Sequence, residues 1–267
     1  MYIVSARADF SDPDVLSATG HGFREIDLAS DAVVRTFGDA AAFGRAIAGQ
    51  SVLLLVHGYN NEQDDVHDAY AVIEEHIDRH VAGAYDRVIG YAWPGGDMGL
   101  DWWASKKRAN AVARRFRFLL EGLAGHAASI DIMSHSLGAR VVLKALKRTE
   151  RVPLVRHYFC MAPAVDNEVF ERDEEFNAAL ARAAGIHVFH SNRDDVLGWL
   201  YRVAELDCAL GLSGPEDRAW IQRHARNVFV VNCKKRIADH GDYKASGPVY
   251  GYIAGALDRR PGRFRTL

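Results

Sequence analysis

Ile130-Asp131-Ile132-Met133-Ser134-His135-Ser136-Leu137-Gly138-Ala139-Arg140-Val141-Val142 decides how this sequence is read. The first half is a short apolar run of strand length, and from Leu137 to Lys147 the spacing becomes helical. The two halves meet at Ser136. A serine on a sharp strand-to-helix turn has an accessible hydroxyl, and the next amide lies at a helix N-terminus. That hydroxyl is a weak nucleophile at neutral pH and needs a base and oxyanion donors. The pattern is SxSxG, with Ser134 where GxSxG turns carry glycine. Taken alone, it fits equally a Ser136 that only caps the helix.

Outward from this turn, apolar β-branched runs alternate with longer helical patterns from about residue 50. Strands are predicted at 51–56, 87–93, 129–133, 154–161, 186–189 and 227–231. Helices are predicted at 62–81, 106–123, 137–147, largely over 167–184, near 196–206, and at 245–257. Such alternation implies right-handed crossovers and a mostly parallel twisted sheet with helices on both faces. Tyr2–Ala6, Glu25–Leu28 and Val33–Phe37 are expected as antiparallel strands at one edge of that sheet. No repeat or linker divides the chain, so one domain over 1–267 is expected.

Ligands of open α/β sheets bind beyond the carboxyl ends of the strands. The residues that follow successive strands are His57-Gly58-Tyr59, Trp93-Pro94-Gly95-Gly96, Ser134-His135-Ser136, Asp166, Asp194-Asp195 and His240. A serine, acids and a late histidine therefore fall on one edge, in the order Ser, Asp, His. His240 is the expected base and Ser136 the expected nucleophile. The acid is Asp194 or Asp195, with Asp166 a third candidate that reads better as a helix cap. Gly58 allows close backbone approach, so the N–H groups of Tyr59 and Leu137 are the expected oxyanion donors. His57 reads as a structural hydrogen-bonding residue beneath the site. His126 and His157 precede strands and fall at the opposite edge, while His190 is a minor alternative base. His76 and His80 have metal-ligand spacing on a helix but lack a third ligand, so no metal is expected. Trp93, Trp102 and Trp103, in the stretch 91–103, are expected to wall an apolar acyl pocket, and Trp102 and Trp103 fit equally a role in packing the next helix onto the sheet.

Composition narrows the classes. Hydrophobic residues make up 49% and charged residues 25% of 267, an ordinary globular balance. The net charge of -2 disfavours a nucleic-acid-binding surface. Three widely spaced cysteines form no disulfide framework, and Cys160 reads as a core residue. The N-terminus lacks the features of a signal peptide, and no apolar stretch is long enough to span a bilayer. A cytoplasmic location is expected, with a small acyl substrate, no nucleic-acid partner, no stable membrane insertion and no cofactor. The oligomeric state is open.

LLLVHGYNN (53–61), YAWPGG (91–96), IDIMSHSLGARVV (130–142), MAPAVDNEVF (161–170), HSNRDDVLGW (190–199) and the late histidine resemble a family of α/β hydrolases of unknown function. That family carries HGYNN, WPS or WPG, and HSMG or HSLG signatures, and the resemblance covers roughly residues 50 to 255. It implies the α/β-hydrolase fold, a Ser-Asp-His triad and metal-free hydrolysis of an ester or related acyl group. Its Asp-x-x-Leu spacing favours Asp194, leaving Asp195 to cap the next helix. An aromatic often comes soon after the family's histidine; here Tyr243 is displaced by Gly241-Asp242. Two other functions fit: a lipase or phospholipase drawn to membranes by Lys106-Lys107-Arg108 with Arg114, Arg115 and Arg117, and an inactive binding module.

Overall fold

Residues 1–59, 61–96 and 102–267 are described by a computed structural model. Asn60 of the His-Gly turn and residues 97–101 of the aromatic stretch lie outside them. The apolar runs become strands because each buries both faces, and the amphipathic stretches become helices that cover them. In chain order these are β1 (Tyr2–Ser5), β2 (Gly22–Asp27), β3 (Ala32–Phe37), α1 (Ala40–Ala46), β4 (Ser51–Val56), α2 (Gln63–His80) and β5 (Arg87–Ala92). Then come α3 (Trp102–Leu123), β6 (Ser129–His135), α4 (Gly138–Leu146), β7 (Val155–Met161), β8 (Ala183–His190), α5 (Arg202–Glu205) and α6 (Leu210–Ser213). The chain ends with α7 (Arg218–His224), β9 (Val228–Asn232), α8 (Gly247–Asp258) and β10 (Phe264–Thr266).

Among the described residues the strands form one 10-stranded sheet, ordered β10-β9-β8-β7-β6-β4-β5-β1-β2-β3. Every pairing from β10 to β1 is parallel, whereas β1–β2 and β2–β3 are antiparallel. The chain steps from β4 to β5 and then crosses back to β6 on the other side of β4. Right-handed crossovers therefore place α2 and α3 on opposite faces. In keeping with this, α2 packs with α8, while α3 packs with α1 and α4. The reversal at β4 is the switch point where the carboxyl ends open a crevice. Register puts Val56 level with Ser134, and Ser134 level with Cys160. The turns after β4, β6 and β7 thus meet at one height.

Three expectations change. β1 is not an antiparallel edge strand: it lies parallel to β5 and is buried along its length, because Tyr2, Ile3, Val4 and Ser5 are sandwiched within the sheet. α3 begins at Trp102, four residues earlier than its polar pattern indicates. The segment 167–184 is not one helix. It is a series of turns, with Asp173 in the left-handed region (φ 68°), then a 3-10 helix at Asn177–Arg182 and the start of β8.

Candidate active site

Ser136 stands between β6 and α4 with φ 52°, a conformation that costs a non-glycine residue about 1–3 kcal/mol and persists only when its surroundings hold it. They do so here through three hydrogen bonds. The Ser136 N–H donates to Met161 O at 3.0 Å, and the Ser136 carbonyl accepts from Ala139 N (3.0 Å) and Ala164 N (3.2 Å). Two glycines let backbones close around the turn. A Cβ on Gly138 would sit 2.4 Å from the His57 carbonyl oxygen, and one on Gly58 would sit 3.0 Å from Ser136 Cβ. Ser134 fits where glycine is usual because its small, buried side chain is satisfied by a hydrogen bond between its Oγ and the buried Tyr158 hydroxyl, 2.7 Å away. Leu137 is the N-cap of α4, so its amide belongs to a helix end whose first N–H groups have no intrahelical acceptor.

β8 and β9 deliver the acid and the imidazole. Asp194 is buried; its Oδ2 lies 2.7 Å from His240 Nδ1, and its Oδ1 accepts the Leu197 N–H at 3.0 Å. The carboxylate therefore both orients the ring and caps the segment that follows, the task expected of Asp195. Asp195 is exposed and makes no side-chain cap. Asp166 is engaged elsewhere, accepting the Tyr201 hydroxyl at 2.5 Å. The His240 loop is pinned by Asp242 Oδ2, which accepts the Ala238 and Asp239 N–H groups at 2.9 and 2.8 Å. Tyr243, displaced along the sequence, is fully buried beneath that loop.

The sequence assigns His135 no role. Its Nε2–H donates to the His240 carbonyl at 2.9 Å, and the two rings lie 4.5 Å apart. Burial, then the neighbouring His240, pushes its pKa down to about 3, so the ring is neutral and has a proton on Nε2 to donate. The available signal was a polar ring at the carboxyl end of a strand, beside the candidate nucleophile.

His57 is held on both nitrogens. Nδ1–H donates to Gly58 O at 2.9 Å, and Nε2 accepts the Trp93 N–H at 3.0 Å. Burial drives its pKa far below that of a free imidazole. It thus braces the turn from below rather than serving as a base. Trp93 is its counterpart: the indole stacks on His57 at 5.5 Å, and Nε1–H donates to the His57 carbonyl at 2.8 Å. Trp93 is therefore not a pocket wall as expected, because the end of β5 is still inside the core and leaves its ring no exposure. His190 is also buried, with its pKa lowered to about 4. His76 and His80 stack on Tyr250 of α8.

Ser136, His240 and His135 open onto one cavity of about 400 Å³. Its floor is apolar, from Leu55, Val56, Met133 and Met161 to Ala69 and Ile73 of α2. Trp102 forms the outer wall, edge-on to Tyr59 (6.2 Å) and Tyr201 (5.4 Å). Its indole N–H donates to Glu205, which also pairs with Lys106. Trp103 departs from expectation. One residue further along α3, it turns outward, is 60% exposed and lies under the Lys106 ammonium.

A family described as alpha/beta hydrolase of unknown function (DUF900) matches residues 41–250. The chain belongs to this family. No curated protein matches it. Among solved structures, the protein is similar to an α/β-superfamily hydrolase from Xanthomonas campestris pv. campestris (15% identity, 78% of this chain and 99% of that one, TM-score 0.43). It is also similar to a protein of unknown function from Agrobacterium tumefaciens, described as a candidate α/β hydrolase (12%, 91% and 93%, TM-score 0.45). A third likeness is to an esterase from Pyrococcus furiosus (14%, 79% and 83%, TM-score 0.48). The sheet order and the family match place this member in the α/β-hydrolase fold. Among the described residues no helix is long and apolar enough to cross a membrane.

Proposed function

We propose that the protein is a serine hydrolase that cleaves a carboxylic ester or thioester through an acyl-enzyme. The observation that carries this reading is the pairing of buried Asp194 with half-buried His240, 2.7 Å apart, His240 opening onto the same cavity as the strained Ser136. His240 Nε2 takes the proton of Ser136 as Oγ attacks the acyl carbon, and Asp194 holds Nδ1–H and stabilises the imidazolium. The N–H groups of Tyr59 and Leu137 receive the oxyanion. Collapse breaks the bond to the alcohol or thiol, which leaves with the proton from His240. Water then attacks the acyl-serine by the same route in reverse, releasing the acid and restoring Ser136. The apolar floor takes the acyl chain, and Trp102 covers it.

Hydrolysis of p-nitrophenyl butyrate by the wild type and by Ser136→Ala tests the assignment. The variant should lose at least about 10³-fold in kcat, the scale on which nucleophile removal acts, and should resist a fluorophosphonate probe that labels the wild type. Equal turnover by the two proteins would rule out Ser136 as the nucleophile.

A further inference from the structure

Isolated exposed apolar side chains are ordinary, but their distribution here is not. Among the described residues ten large apolar side chains are well exposed, and five of them, Trp103, Val196, Trp199, Val203 and Leu206, lie on two adjoining segments beside the cavity mouth. Four come from the π-helix at Val196–Tyr201 and from α5 with the residue that ends it; Leu206 is 91% exposed. Glu205, bonded to Trp102 and Lys106, ties α5 to the start of α3 and so brings Trp103 alongside. Val196 belongs both to this rim, at 41% exposed, and to the cavity lining, next to Leu197. Val196 thus joins the rim to the cavity that holds Ser136.

Exposed cations fringe it: Lys107, Arg193 and Arg202, with Lys244 at the cavity, beside the exposed acids Asp195, Asp239 and Asp242 and the half-buried Asp207. On the two apolar segments themselves, 103–107 and 193–207, exposed Lys107, Arg193 and Arg202 outnumber the exposed Asp195, although the whole chain carries -2. Tryptophan with aliphatic side chains on one face and Lys or Arg beside them is the composition of a surface that lies in a lipid interface. A patch for a protein partner would not need to continue into the reaction cavity. That continuity says what the occupant delivers. At roughly 30 Å³ per methylene, close to the volume of a water in the liquid, about 400 Å³ accommodates an acyl chain of about eight to twelve carbons.

We propose that the rim Trp103–Val196–Trp199–Val203–Leu206 seats the protein on an anionic lipid surface, from which the acyl chain of an amphiphilic ester passes into the cavity. The inference rests on the serine-hydrolase reading for the fate of that ester, so docking is measured without turnover. Ser136→Ala protein is mixed with phosphatidylcholine vesicles containing one quarter phosphatidylglycerol, at low salt. Co-sedimentation is expected, with tryptophan emission moving to shorter wavelength as Trp103 and Trp199 leave water. Adding Trp199→Ser and Leu206→Ser should reduce the bound fraction about tenfold. The same two changes on the otherwise wild-type chain should leave hydrolysis of a monomeric short-chain ester unchanged. Absence of vesicle binding, or equal binding with and without the two rim substitutions, overturns the proposal. So does a dimer in analytical ultracentrifugation that the rim substitutions dissociate while vesicles stay unbound, since the rim would then be a self-association face. Vesicle binding without turnover of any ester would instead defeat the hydrolase reading and leave the docking surface standing.

Discussion

At the scale of single residues, the site depends on Asp194 serving two masters. One oxygen faces His240 and the other caps Leu197. Asp194→Asn keeps the shape and a carbonyl oxygen for the cap, but it offers the imidazole an amide and favours the wrong tautomer. We expect kcat to fall about 10³- to 10⁴-fold with the melting temperature nearly preserved, measured by ester hydrolysis beside circular dichroism melts. A large loss of Tm instead would mean that the carboxylate's main work is structural. Ser134 should behave in the opposite way. Ser134→Ala strands the buried Tyr158 hydroxyl, which then keeps only the Cys160 contact, and so should cost about 1–2 kcal/mol in urea unfolding. Its hydroxyl is engaged with Tyr158 and takes no part in the proposed proton transfers, so kcat should stay within about twofold, well under the 1.4 kcal/mol that a factor of ten requires.

At the scale of elements, reactivity depends on how closely the turn after β4 meets the turn after β6. Gly58→Ala would place a methyl 3.0 Å from Ser136 Cβ and 3.2 Å from His135 Nδ1. Those neighbours must yield by a few tenths of an ångström, and they carry the candidate nucleophile and the brace of His240. A kcat loss of roughly 10- to 100-fold is expected, since small misplacements of reacting groups cost on that scale. Unchanged kcat would show that the turn has slack. Elements also mark the limit of what the sequence discloses. Strands β4 to β9 were legible from composition and length, and the order of Ser136, Asp194 and His240 followed from the residues after them. Segment 167–184 was not, because buried Val169, Phe170, Phe176 and Ala179 imitate helical spacing. The backbone there instead makes successive short turns, such as Glu171 N to Glu168 O and Glu174 N to Glu171 O. His135 was missed because its role is to hold the carbonyl of a residue 105 positions away, which no local pattern encodes. Trp93 was misplaced because an aromatic at a strand end looks alike whether it lines a cleft or seals the core.

At the scale of the whole molecule, the protein stores histidines as neutral core residues, and this fixes how it should respond to acid. His57 is closed in by Gly58 and Trp93. His187 lies between the Tyr252 hydroxyl and His157, and His190 packs against Gly214. Burial lowers the pKa of His187 to about 3 and of His190 to about 4, and that of His57 well below its ordinary value. In the unfolded chain each titrates near 6.5. Between about pH 4 and 6.5 the unfolded chain therefore binds protons that the folded one excludes, so stability rises with pH through this window and is fully present above it. One proton per group corresponds to about 1.4 kcal/mol per pH unit. These three groups alone give a slope approaching about 4 kcal/mol per unit below pH 6, and His135 and His21, lowered by burial to about 3 and about 4, add to it with the same sign; that is large against the 5–15 kcal/mol that holds a typical domain. Urea unfolding at pH 7.5, 6.5, 5.5 and 4.5 should show a flat region followed by a steep decline. His187→Phe, which fills the same core site without a titrating group, should shallow the decline by one proton. A stability that stays level down to pH 4.5 would mean that these rings are charged in the folded protein, and the bracing of the Ser136 turn by a neutral His57 would have to be abandoned with it.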